Sequence, residues 1–191
     1  MIGSAHAMPT ILVFGDSLSA GYGIELAQSW PALMADRLKQ EKFPHTLINA
    51  SISGETTDGG RSRLPALLRQ HRPAVVVLAL GANDGLRGLP LASSRGNLQA
   101  MAQAARQAGA RVLIAGMRLP PNYGLAYTQQ FHQMFTDIAK AEKAGLLPFL
   151  LEPIALDDTA FQPDRLHPTA AAQPKIRDHV WPAVKALLKP H

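Results

Sequence analysis

Cysteine is absent from the 191 residues. That excludes a disulfide framework, a thiol nucleophile, a redox CxxC pair, a thiolate zinc site and a cysteine-held iron–sulfur cluster. Charge is sparse as well: Asp, Glu, Lys and Arg make up 17% of the chain, against a usual share of roughly 25%. The 19 basic and 14 acidic residues leave a net charge of +5, and the basic ones form no run. Nucleic acid is therefore not expected as a partner, and so mild an excess gives no support to binding of anionic membranes. No apolar segment approaches the roughly 18 residues of a membrane helix. The longest, 74–80, is β-branched and reads as a buried strand, so stable membrane insertion is not expected. There is no H-E-x-x-H tract or carboxylate cluster, so neither a metal nor another cofactor is expected.

Apolar residues are plentiful at 47%, enough for a core and unlike a disordered chain. The length suits one domain, placed at 9–191. Residues 1–8 are read as a tag or a signal-peptide remnant. Met1-Ile2-Gly3-Ser4 looks like vector sequence, the preferred reading, while Ala5-His6-Ala7 has the A-x-A shape of a signal-peptidase site. A removed signal peptide would place the protein in the periplasm; otherwise it is cytoplasmic.

Periodicity predicts strands at 11–14, 46–48, 75–80, 112–115 and 146–151. Helices are expected at 27–40, 60–70, 93–108, 126–143 and 168–188, the last broken at Pro174 and Pro182. Alternating strands and helices imply an α/β protein with a five-stranded parallel sheet covered on both faces. Such sheets carry their functional groups beyond the carboxyl ends of the strands. Polar clusters lie there after each predicted strand: Gly15-Asp16-Ser17-Leu18-Ser19, then 49–54, then Gly81-Ala82-Asn83-Asp84, then 117–123, and finally Asp164-Arg165-Leu166-His167.

Ser17, at a strand end, is a weak nucleophile until a base takes its proton. His167 is the candidate base, and Asp164, three residues earlier, can orient its imidazole. Activity should fall as that imidazole is protonated, because an imidazolium cannot accept the serine proton. Attack on an acyl carbon generates an oxyanion. Its donors are expected from the backbone N–H groups of Ser17 and Gly54 and from the Asn83 amide. Asp16 and Asn49 read as cap or turn residues, and Asp84 as a brace for the Asn83 loop. Loops at 86–89 and 119–123 would flank the site, making Leu86, Leu119, Pro120 and Tyr123 candidate substrate contacts; the alternative is that these residues only anchor their loops.

Two other motifs fail. The tract 54–62 nearly spells a phosphate-binding loop, but Gly60 stands where lysine is required. Gly15 to Ser19 misses the G-x-S-x-G elbow because Ser19 replaces the second glycine.

The blocks around Ser17, Gly54, Asn83 and Asp164–His167 resemble those of the SGNH, or GDSL, hydrolase superfamily from about Thr10 to the end. The chain is most similar to the bacterial thioesterase I / protease I / lysophospholipase L1 group and its arylesterase relatives. The stretches 49–54, 63–68, 83–88 and 118–124 carry that closer likeness. Ala82 departs from the glycine frequent there. The resemblance implies a flavodoxin-like three-layer α/β/α sandwich, with Ser17, Asp164 and His167 as triad and Gly54 and Asn83 in the oxyanion hole. It implies small-molecule substrates: aryl esters, short-to-medium acyl esters, acyl-CoA thioesters and lysophospholipids. A carbohydrate O-acetylesterase or a non-catalytic binding module on the same fold are the alternatives. A monomer or weak oligomer is expected.

Overall fold

The computed structural model describes residues 8–188, so the tag or leader reading of 1–7 lies outside the described residues. Strand β1 (Thr10–Gly15) pairs in parallel with β2 (Thr46–Asn49) on one side and β3 (Val75–Ala79) on the other. Outside β3 lie β4 (Arg111–Ala115) and β5 (Gly145–Leu147), both parallel, giving the order β2-β1-β3-β4-β5. This is flavodoxin-like doubly wound connectivity, whose strand order reverses between β1 and β3 and opens a crevice there.

Both sheet faces are buried. Ile11, Val13, Val75, Val77 and Leu113 point one way, towards helices α2 (Trp30–Gln40) and α7 (Gln173–Leu188). Leu12, Phe14, Val76, Leu78 and Ile114 point the other way, towards α3 (Thr57–His71), α5 (Leu91–Gln107) and α6 (Leu125–Ala141). That explains why the middle strands read as continuous apolar runs rather than alternating ones. Gly60 lets α3 lie close to the sheet: a Cβ there would stand 2.5 Å from Leu80 Cδ1 and 3.2 Å from Phe14 Cε1. No helix among the described residues is long and apolar enough to cross a membrane.

The departures from expectation have local causes. The helix expected from 27 starts as an α-helix only at Trp30, where Ser29 caps it by accepting from the Ala32 N–H and Pro31 occupies the first turn. The helix expected at 60–70 begins earlier, at Thr57, capped by the Thr56 hydroxyl. Two short helices, α1 (Ser17–Ala20) and α4 (Ala82–Leu86), fall in stretches too short for periodicity to register. The strand expected at 146–151 ends at Leu147 because Pro148 has no N–H for a ladder; the chain instead turns, with the Leu150 N–H donating to the Gly116 carbonyl. Neither proline breaks the last helix. Pro174 sits in the first turn of α7, where its N–H would have been unpaired, and Pro182 lies on the exposed face, where the freed carbonyl four residues back can meet water.

Candidate active site

Strand β1 ends at Gly15, and the chain turns at once into α1. Asp16 caps that helix: its Oδ1 accepts the Leu18 N–H at 3.0 Å. The turn leaves Ser17 at the cleft between β1 and β3. On the other side of the cleft, Asp164 and His167 meet within one turn. Asp164 Oδ1 accepts the backbone N–H groups of Leu166 at 2.9 Å and His167 at 3.0 Å. Its Oδ2 lies 2.6 Å from His167 Nδ1. A carboxylate there fixes the proton on Nδ1, so Nε2 presents its lone pair to the Ser17 hydroxyl 2.9 Å away. The His167 backbone N–H holds the Asp164 carboxyl down at about 2, with help from the imidazole and the Leu166 N–H. Asp164 therefore contributes stability above its unfolded value of 3.8, lost as pH falls towards about 2.

Sequence reasoning did not find the clamp around this histidine. Tyr22 lies against the imidazole with ring centroids 4.3 Å apart. Gln162 Nε2 donates to the Tyr22 carbonyl at 2.8 Å and to the Pro168 carbonyl at 3.0 Å, tying the segment after α1 to the His167 segment. Neither residue belongs to a motif with chemistry of its own, so no sequence signal pointed to them.

Of the two further oxyanion donors expected, Asn83 lines the cavity beside Ser17, whereas Gly54 is not in its lining. Gly54 has φ 80, a left-handed conformation that suits glycine, and a Cβ there would meet nothing within 4 Å. Asn83, in the first turn of α4, donates one Nδ2 hydrogen to the Glu55 carbonyl at 2.9 Å, which fixes the amide and leaves its second N–H uncommitted. Asp84 braces this loop. It is 3% exposed, and it accepts the Thr57 N–H at 2.9 Å, the Thr57 hydroxyl at 2.6 Å and the Ser94 hydroxyl at 3.1 Å. Asp84→Ala would orphan the two Thr57 donors and leave the Ser94 hydroxyl only the Pro90 carbonyl at 3.5 Å, and we expect it to lower unfolding free energy by about 3 kcal/mol, read from urea titration. Asn49 is a turn residue, as expected: Nδ2 donates to the Ser19 carbonyl and Oδ1 accepts the Ser51 N–H.

Asp16 is unusual among the site's acids. Burial pushes its carboxyl from 3.8 up to about 6, against the opposing pull of the Leu18 N–H. The folded chain thus binds this proton at higher pH than the unfolded chain does. Stability falls as pH rises between those values, and above them the ionised group costs roughly 3 kcal/mol. Asp16→Asn keeps an acceptor for Leu18. We expect it to raise the urea midpoint at neutral pH and to leave it nearly unchanged at pH 3.8 or below.

Next to Ser17 opens a cavity of about 330 Å³. Leu86, Leu119 and Pro120 line it as expected, joined by Met117, Phe149 and Phe161, which come from the segments after β4 and β5. Tyr123 is not in the lining. Its hydroxyl donates to the Leu86 carbonyl at 2.8 Å, so it joins the two flanking loops instead.

A hydroxyl, an imidazole and a carboxylate in series beside an apolar cavity define an acyl hydrolase built on a doubly wound sheet. Residues 13–173 match the family described as GDSL-like lipase/acylhydrolase, and the chain belongs to that family. It is 48% identical to esterase TesA of Pseudomonas aeruginosa over 182 residues, 95% of this chain and 90% of the relative. It is 42% identical to thioesterase 1/protease 1/lysophospholipase L1 of Escherichia coli K12 over 174 residues, 91% of this chain and 82% of the relative. Psychrotrophic esterase EstA from Pseudoalteromonas sp., in a crystal structure inhibited by monoethylphosphonate, superposes with a TM-score of 0.90 at 42% identity, covering 94% of this chain and 98% of that one.

Proposed function

We propose that this protein cleaves carboxylic esters and thioesters through an acyl enzyme on Ser17. The observation that carries this reading is the unbroken series Asp164–His167–Ser17, at 2.6 Å and 2.9 Å, at the edge of the apolar cavity. His167 Nε2 takes the Ser17 proton as Oγ attacks the acyl carbon. The oxyanion so formed is met by the N–H groups of Ser17 and Gly54 and by Asn83 Nδ2. His167 then returns the proton to the departing alcohol or thiol. Water enters, His167 activates it, and the acyl enzyme is hydrolysed by the same route.

The walls formed by Leu86, Met117, Leu119 and Phe149 suit an acyl or aryl group. They would leave the hydroxyls of an acetylated sugar without partners, which favours the acyl-chain reading. The similarity to an esterase and to a thioesterase 1/lysophospholipase L1 supports both ester and thioester substrates. We take residues 9–191 as a single domain acting as a monomer or weak oligomer.

The test is a chain-length series of p-nitrophenyl esters and matching thioesters, with intact-mass measurement after treatment with an organophosphonate. One adduct on Ser17 and turnover of both series are expected. Inertness towards every member of both series would overturn this reading and leave the carbohydrate O-acetylesterase and binding-module readings.

A further inference from the structure

Ser17 and His167 stand 150 residues apart in the chain, and their direct link is the 2.9 Å hydrogen bond between Oγ and Nε2. That bond cannot hold the site together through a whole cycle. Once Oγ carries an acyl group it has no proton to give, and the imidazole must then align a water molecule without it. Asp164 fixes Nδ1, but it belongs to the same turn as His167 and moves with it. Some other tie must hold this turn to the segment that bears the nucleophile.

Among the described residues, one further hydrogen bond joins 17–28 to 158–170, and Gln162 makes it. Its Nε2 donates to the Tyr22 carbonyl at 2.8 Å and to the Pro168 carbonyl at 3.0 Å. Both amide hydrogens are thereby committed, which settles the orientation of the side chain. At the far end of the link, the Tyr22 N–H donates to the carbonyl of Ser17 itself at 3.3 Å. At the near end, Pro168 follows His167, and the Gln162 N–H donates to the His167 carbonyl at 2.8 Å. A strap thus runs from the residue that bears the nucleophile to the backbone at the base. Gly23 makes room for it: at φ 75, a Cβ there would collide with Gln162 Oε1.

We propose that Gln162 is a positioning residue whose main effect falls on hydrolysis of the acyl enzyme. This deepens the ester and thioester hydrolase reading and rests on it. In acylation the Ser17 hydroxyl is itself bound to Nε2, so nucleophile and base align each other. In deacylation water gives its proton to Nε2 while its oxygen bonds to the acyl carbon; Oγ then leaves and takes that proton back. During that step the strap keeps Nε2 facing the acyl carbon. A misplacement of about 1 Å can cost on the order of 100-fold in rate. Asp164 and the Tyr22 ring still hold the imidazole when the strap is lost, so the cost should be about tenfold in deacylation and under about twofold in acylation.

Two variants test this. Gln162→Met keeps the length of the side chain and removes both of its hydrogen bonds. Gly23→Ala pushes the amide away from the opposite side and leaves the triad turn unaltered. The substrate is a p-nitrophenyl ester, whose leaving group departs readily, so that deacylation limits kcat. Because kcat/KM reports the steps through acylation, both variants should keep it within about twofold of the parent, while kcat and KM fall together by about tenfold. At a substrate concentration equal to the parent's KM, the acylated fraction read by intact mass should rise from about half to about nine-tenths. Inactivation by an organophosphonate, which follows the acylation route, should keep the parent's rate. A drop in kcat/KM as large as that in kcat, with KM unchanged, overturns the proposal, as does no change in either constant. Circular dichroism identifies a variant that has unfolded, and the other then gives the reading; unfolding of both overturns the proposal by making the strap part of the fold. If the parent cleaves no ester and forms no adduct on Ser17, the hydrolase reading fails, and this proposal with it.

Discussion

Ser17→Ala is expected to lower kcat/KM for a p-nitrophenyl ester by about a million-fold, to a residue of activity owed to binding and the oxyanion donors alone. The size follows from how the three groups work together. With no hydroxyl there is no acyl enzyme, and His167 has nothing to deprotonate except water that the site was not built to place. His167→Ala should cost a similar factor, and the double variant little more, because the two act as one unit. Asp164→Ala should cost less, on the order of ten-thousand-fold, since the carboxylate fixes the tautomer and orientation of the imidazole and does not itself take the proton. The Asp16 cap and the buried core do not depend on the Ser17 hydroxyl, so the folded content of Ser17→Ala should match the parent by circular dichroism. Steady-state kinetics with intact-mass analysis check the result. An organophosphonate adduct that survives the substitution, or activity within a hundredfold of the parent, would place the nucleophile elsewhere.

The proximity of Ser17, Asn83 and Asp164–His167 could be read in sequence because the sheet forces them into register. A parallel strand order puts every strand's carboxyl end on one edge, and each of these groups follows such an end. Two classes of detail could not be read. The first comprises groups acting through their backbone or ring face: the Tyr22 carbonyl and ring, the Gln162 bridge and the Pro168 carbonyl carry no residue-type signature. The second comprises the cavity walls. Met117 and Phe149 look like strand-end core residues, and only the turn after Pro148, which cuts β5 short, brings Phe149 to the cavity. Tyr123 erred in the opposite direction: an aromatic beside two prolines suggests a substrate contact, yet its hydroxyl is spent on the Leu86 carbonyl. Length set a further limit. At four and five residues, α1 and α4 are too short to show a period, although they carry Ser17 and Asn83.

Asn83→Ala should lower kcat by about 100- to 1,000-fold while KM changes only a few-fold. The split between the two constants is the informative part. A donor that meets charge only as the tetrahedral intermediate forms contributes to the transition state and little to the bound ester, so its loss appears in kcat. The structure shows how this amide is prepared. One Nδ2 hydrogen is committed to the Glu55 carbonyl, which settles which end of the side chain is the donor and leaves the other N–H free. Asp84, the next residue of α4, is itself held by Thr57 and Ser94. No reorganisation is then needed at the moment of reaction. Asn83→Asp tests the same point with almost no change in volume. It loses the bond to Glu55 and sets a negative charge where the oxyanion develops, so at neutral pH it should be worse than alanine. The alanine variant should give up only about 1 kcal/mol of stability for the missing hydrogen bond, which separates a catalytic loss from an unfolded protein. A rise in KM with kcat intact would mean that Asn83 holds substrate rather than the oxyanion, and the donor set would shrink to the N–H groups of Ser17 and Gly54.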